Sequence, residues 1–418
     1  MNALDTNKKE RLYYIDWLRI LLILSVFLFH IGMIFNSWDW HVKNDITSGY
    51  KSTLWYIMVF LGRWRMPLLI LVSGAGTYFA LGNRTSGQYL GERFKRLFIP
   101  LAVGIFTLVP VQVYIEKSAQ YSSLLDFYPH MFQGIYPEGN FSWHHLWFIA
   151  YLFIIALIIS PFIKFTRSSR FDLFLGRLGK IVSKRLGANI FVLPMLVSQL
   201  LLRPYFPENT HGLIDDWAAV AYYLIFFLSG FVLLSNKKMM ESIQKQKHLF
   251  LLQSVLFSTM LLTVPYAFSV EKYGNLCWDL IEPVMAWSCG MTAMGYARRY
   301  LNRNSKLRKL ANEAIYPFYL LHQPVIVVIA HFMVQWDMAI VWKVIMITLS
   351  SFAVTVSVYW FLIRPFNVVR FVFGMKWLPG NRPETLPEGE LSSIPVVIKT
   401  TNEKHHEENS LVSAGFAD

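Results

Sequence analysis

Apolar residues in this chain come in long runs, not in the alternation of a half-buried strand or the one-sided stripe of a soluble helix. A helix crossing the roughly 30 Å of bilayer hydrocarbon needs about 20 mostly apolar residues. Ten stretches approach or meet that length, at approximately 15–35, 55–80, 98–115, 144–165, 188–204, 217–235, 249–268, 277–297, 314–335 and 339–363. The fifth is the weakest, being short, interrupted by Pro194 and closed by Arg203 and Pro204. The pattern predicts an all-α fold, a polytopic membrane bundle of about ten transmembrane helices. Asp16 and Arg19 sit inside the first stretch and no small-residue cleavage site follows it, so it reads as a retained span. The longest loop, about 116–143, carries Tyr121, Phe127, Tyr128, Pro129, Tyr136, Pro137 and Gly139 and suits a small cap over the helix mouths. The division is an N-terminal segment 1–14, a transmembrane domain 15–365 and a tail 366–418, the last poor in periodicity and predicted to be largely disordered.

Composition agrees with a membrane protein: 55% of the 418 residues are apolar and 16% are charged, against about 25% charged in a soluble domain. The net charge of +13 comes from 39 Lys and Arg against 26 Asp and Glu. With the N-terminus inside, the segments on that side hold 30 Lys and Arg and those on the other side five, while Arg19, Arg63, Arg65 and Lys343 lie in spans. That asymmetry places both termini in the cytoplasm. The basic charge is therefore a topology signal. It makes the lipid bilayer the expected partner and excludes nucleic acid. Cys277 and Cys289 share one apolar stretch and read as packing residues without a disulfide framework. His405 and His406 in the tail are a weak metal signal, and no metal site is predicted. No internal repeat is visible, which disfavours inverted-repeat transporters.

An ionisable group at membrane depth is costly and faces the bundle interior, so each is a functional candidate. In the first span Arg19 and His30 are eleven residues apart. At about 100° and 1.5 Å per residue they point within about 20° of one another, about 16 Å apart along the axis. Asp16 pairs with Arg19 at i, i+3 or serves function; His30 is a packing residue or a reactive imidazole. The second span holds Arg63 and Arg65, and two arginines at that depth imply a water-filled or anion-holding cavity. Glu282 in the eighth span lies at the depth of His30 and either orients its ring or neutralises Arg63 or Arg65. His322 sits within the ninth span, whereas His145 and Trp147 belong to an outer-mouth aromatic belt. Arg93 and Arg96 are i, i+3 neighbours at a helix start, explained by the cytoplasmic excess of basic residues or by phosphate binding. The same buried His, Arg and Glu set would also serve a proton- or anion-coupled transporter.

Arg19, ten residues and His30, within "YIDWLRILLILSVFLFHIGMIF", resemble the first-helix signature of the acyltransferase family 3 membrane proteins. "RWRMPLLILVSGAGTYF", the Arg93 and Arg96 pair, "HLWFIAYLF" and "EAIYPFYLLHQPVI" extend the resemblance over about residues 14 to 365. Within the family the chain is most similar to the glucan-biosynthesis branch, in its "IDWLR" start and in Tyr316 through Gln323. The resemblance implies an O-acyltransferase that moves an acetyl, succinyl or similar group from cytoplasmic acyl-CoA to an extracytoplasmic carbohydrate hydroxyl in a bacterial inner membrane. Acyl-CoA is then a co-substrate, with no cofactor required. His30 would be the general base, with Glu282 beside it, and Arg19, Arg93 and Arg96 would hold the CoA end. Arg63 or Arg65 would stabilise the oxyanion or bind a dicarboxylic acyl group, and His322 would line the substrate site.

Overall fold

A computed structural model describes residues 12–378 apart from 83, 208–209, 211 and 268–270. Its compact unit ends at Trp377. Ten helical segments stand where ten apolar runs were read: α1 Tyr13–Phe35, α2 Thr53–Leu81, α3 Ser86–Glu116, α4 His144–Ile163, α5 Gly187–Leu202, α6 Trp217–Ser235, α7 Lys247–Ala267, α8 Glu271–Tyr300, α9 Lys306–Met333 and α10 Ile340–Ile363. Among the described residues, eight are long and apolar enough to cross a membrane. The other two are α5, which is short, and α8, whose middle carries Asp279 and Glu282. The protein is thus a polytopic helical membrane protein. The described residues contain no strand beyond the isolated bridges Asn36–Ser48 and Ile135–Phe141.

With no hydrophobic drive between helices in lipid, small residues and polar ties decide which helices meet. Gly74 of α2 and Gly230 of α6 press against each other's helices. A Cβ on Gly74 would lie 2.0 Å from the Phe227 carbonyl oxygen, and one on Gly230 2.0 Å from that of Leu71. Helix α1 is tied to α9 by charge, since Arg308, fully buried, donates to Asp16 and to Asn304 Oδ1 at 3.0 Å. Asp16 also stands 3.9 Å from Arg19, so the expected local pair is weaker than this interhelical one. Lys343 is buried and donates to Asn44 Oδ1 and the Val334 carbonyl, at 3.0 and 2.6 Å.

Prolines leave carbonyls without a helical donor, because proline has no N–H. Pro324 in α9 frees the Leu320 oxygen, which accepts from His145 Nε2 at 3.0 Å. Pro100 in α3 frees the Arg96 oxygen, which accepts from the Tyr316 hydroxyl at 2.9 Å, where Phe94–Phe98 winds as a π turn. The 116–143 loop folds on itself: Lys117 donates to Gly139 and Asn140, and Tyr121 packs on buried Phe127 and on His130.

One reading of the ends changes. The segment from 366 does not begin as tail, because Asn367–Val372 is helical and buried Arg370 ties it to Glu313 of α9 at 3.1 Å. A six-residue helix is too short to announce itself by periodicity. His405 and His406 lie outside the described residues. Cys289 is buried against Met285, as a packing residue would be.

Candidate active site

The eleven-residue spacing in α1 turns both side chains toward the same neighbour. Arg19 Nη1 donates to Asn312 Oδ1 of α9 at 3.5 Å, and the His30 ring centre lies 5.2 Å from that of His322, ten residues along α9. Arg19 faces a cavity of about 600 Å³ also lined by Arg93, Arg96, Lys309, Arg370 and Lys376. This is the basic end of the bundle. Arg93 stacks over the Tyr89 ring at 5.0 Å, and its buried Nε has no hydrogen-bond partner among the described residues. Arg96 is partly engaged by Glu92, 3.4 Å away one helical turn back.

The cavity floor is built by the segment after α10. Gly374 has φ +69°, a region glycine enters at little cost. Its Cα side abuts the Arg96 carbonyl so closely that a Cβ would lie 2.8 Å from that oxygen. Met375 and Lys376 line the cavity beside it, and Arg370 Nε holds the Lys376 carbonyl at 2.8 Å. Lys309, Asn312, Arg370 and Lys376 were not read from sequence. The first two precede the ninth apolar run, which begins at about residue 314, and the last two lie in the predicted tail.

Above the cavity, Tyr319 links the two levels: it lines the cavity, and its hydroxyl donates to the His145 carbonyl. Beyond it four aromatic groups crowd together. His322 lies between His30 and His145, at 5.2 and 5.4 Å between ring centres, and Trp40 stacks on His30 at 5.9 Å. Hydrogen bonding assigns tautomers here. His322 Nδ1 faces the Tyr319 carbonyl at 2.6 Å and so carries the proton, leaving Nε2 as an acceptor. His145 gives its Nε2 proton to Leu320, leaving Nδ1 as an acceptor. These two acceptor nitrogens and His30 Nδ1 are buried with no partner among the described residues. Buried polar atoms are normally satisfied, so this cluster is where a polar reactant would be met. Among the described residues no group of three or more His, Cys, Asp or Glu is placed to hold a metal ion.

The loop after α1 supplies a further chain that the sequence did not show. His41 Nδ1 meets the Glu116 carboxylate, Glu116 Oε1 accepts from the Tyr136 hydroxyl at 2.9 Å, and Gln323 reaches His41 Nε2 at 3.2 Å. Burial and the Glu116 carboxylate push the Tyr136 phenol above its ordinary range, which keeps it a proton donor.

Two expectations are corrected by geometry. Arg63 and Arg65 do not share a cavity, because residues two apart on a helix point to opposite sides. Arg65 is buried against α1, over the Phe29 ring at 3.9 Å with Nη1 3.4 Å from the Ser25 carbonyl. Arg63 lies over Trp278 of α8 at 4.8 Å. Glu282 pairs with Arg63 at 3.1 Å and does not orient His30, since α8 packs on the Arg63 side of α2 while His30 faces α9.

A family model described as an acyltransferase domain matches residues 12–364, most of the chain. The chain belongs to this acyltransferase family. Its long apolar helices make it a polytopic membrane member of that family. Similar proteins include the glucans biosynthesis protein C of Escherichia coli strain K12, 26% identical over 160 residues, which are 36% of this chain and 38% of that protein. The protein of the same name from Salmonella paratyphi B is 27% identical over 157 residues, 35% of this chain and 38% of the relative. The aligned part thus spans under two fifths of either relative. No solved structure matches the chain.

Proposed function

We propose that this acyltransferase takes an acyl group such as acetyl or succinyl from acyl-CoA at the cytoplasmic face and passes it to a carbohydrate hydroxyl on the far side. The membrane would be a bacterial inner membrane, a reading supported by the bacterial organisms of the similar proteins. One observation carries the reading. Helix α1 presents Arg19 to the basic cavity and His30 to the histidine cluster along a single stripe of α9. The cavity lining reaches Tyr319 and does not include His30, so the reading requires the thin pantetheine arm to pass Tyr319 while the phosphates stay with Arg19, Arg93 and Arg96. The rise of about 16 Å between Arg19 and His30 suits an arm of that kind.

The chemistry then balances with no added reagent. An imidazole nitrogen of His30 takes the proton of the acceptor hydroxyl as its oxygen attacks the thioester carbonyl. Arg65, buried over Phe29 beside His30, faces the developing oxyanion, whereas Arg63 is committed to Glu282. The carbon–sulfur bond breaks, the imidazolium returns its proton to the thiolate, and an ester and free CoA leave. The glucan in the relatives' name supports a glucan acceptor.

Replacing His30 with Ala in purified protein should lower donor-dependent CoA release about 10²- to 10⁴-fold, the usual worth of a general base, while insertion is unchanged. Unaltered release by the variant overturns the reading. So does substrate flux through proteoliposomes containing no acyl donor, which the transport alternative requires.

A further inference from the structure

A second cavity of about 720 Å³ opens at the end of the bundle away from the basic cavity, between α2, α5, α6 and α8. Trp278, Tyr222 and Tyr223 form aromatic walls, and Arg63, Asp279 and Glu282 supply polar edges. The charges are balanced locally: Arg63 meets Glu282 at 3.1 Å, and Arg203, also at the cavity, meets Asp216 at 3.2 Å. Such a cavity lacks the surplus of cations that an anionic ligand needs. Its paired, planar polar groups do not suit an acyl chain either. Tyr222 adds the sharpest sign, since it is 6% exposed and its hydroxyl is buried at the cavity with no partner among the described residues. An unpaired hydroxyl is satisfied by a ligand group that accepts from it or donates to it, and a sugar hydroxyl can do either.

We infer that this cavity is a binding subsite for a neutral carbohydrate, whose hydroxyls match the Arg, Asp, Glu and Tyr edges and whose C–H faces lie on the aromatic walls. The inference rests on the transferase reading for its purpose: a polymeric acceptor extends beyond its reacting hydroxyl and needs holding elsewhere. The placement fits. Tyr223 packs on Trp147 at 5.2 Å between ring centres, and Trp147 follows His145 of the histidine cluster by two residues.

Saturation-transfer NMR on the full chain in nanodiscs tests this, with a neutral gluco-oligosaccharide as one probe and succinate as the other. The oligosaccharide should receive saturation, and Tyr222→Phe, which removes one oxygen and is packed as before, should weaken its binding several-fold, up to about tenfold. Trp278→Ala should weaken it further. In turnover the same variants should raise the acceptor KM and leave the acyl-CoA KM and kcat unchanged. Binding that is missing in the parent, equal in both variants, or displaced by succinate overturns the inference. If the parent binds the oligosaccharide through Tyr222 but shows no donor-dependent CoA release, the transferase reading fails and the carbohydrate subsite stands.

Discussion

Buried Arg308 and partly buried Asp16 hold α1 at the angle that aims Arg19 and His30 at α9. Removing one partner of a buried ion pair leaves the other charge without compensation, a cost of about 3–5 kcal/mol. Asp16→Asn should therefore lower thermal stability in detergent strongly, with Arg308→Met milder than Arg308→Ala because Met refills the volume. Equal melting of Asp16→Asn and the parent would show that the pair does not hold the helix. At this scale the sequence was partly legible. The Arg19 and His30 register follows from helix geometry alone, since eleven residues return nearly to the same azimuth. The partner of Glu282 was not legible: its depth matched both His30 and Arg63, and only the packing of α8 on α2 chose Arg63.

At the scale of elements, the reciprocal contact of Gly74 and Gly230 lets α2 and α6 meet backbone to backbone. Alanine at either place adds a Cβ that meets a carbonyl oxygen at 2.0 Å, so the helices must separate. Gly74→Ala should reduce the yield of monodisperse folded protein, and Gly230→Ala likewise. Gly87→Ala, whose Cβ meets nothing within 4 Å, should behave as the parent. Size-exclusion profiles of the three variants decide it. The eight helices long and apolar enough to span were visible in advance because a long apolar run has no alternative fate in this composition. The helix Asn367–Val372 was not, since six residues hold their shape only through Arg370 and the bundle it grips.

For the whole molecule, the basic cavity is completed by a segment lying beyond the matched family domain, which ends at residue 364. Gly374→Ala would place a Cβ against the Arg96 carbonyl and Tyr316 and strain a backbone at φ +69°. It should raise the acyl-CoA KM several-fold and leave the acceptor KM alone. An unchanged acyl-CoA KM would show that the segment from 366 to 377 plays no part in donor binding.

What the amino-acid order determined by itself was the polytopic all-α architecture, the pairing of Arg19 with His30 on one face, and a family signature. These are properties of single helices, where apolar length and a 3.6-residue turn suffice. The tertiary structure alone decided that Arg63 and Arg65 serve different sides and that His322 and His145 converge on His30. It also decided that Arg370, Gly374 and Lys376 finish the basic cavity. Those facts depend on which helices touch and how each is rotated. That choice is made by interhelical close contacts and buried polar ties between residues far apart in the chain, and no local periodicity encodes it.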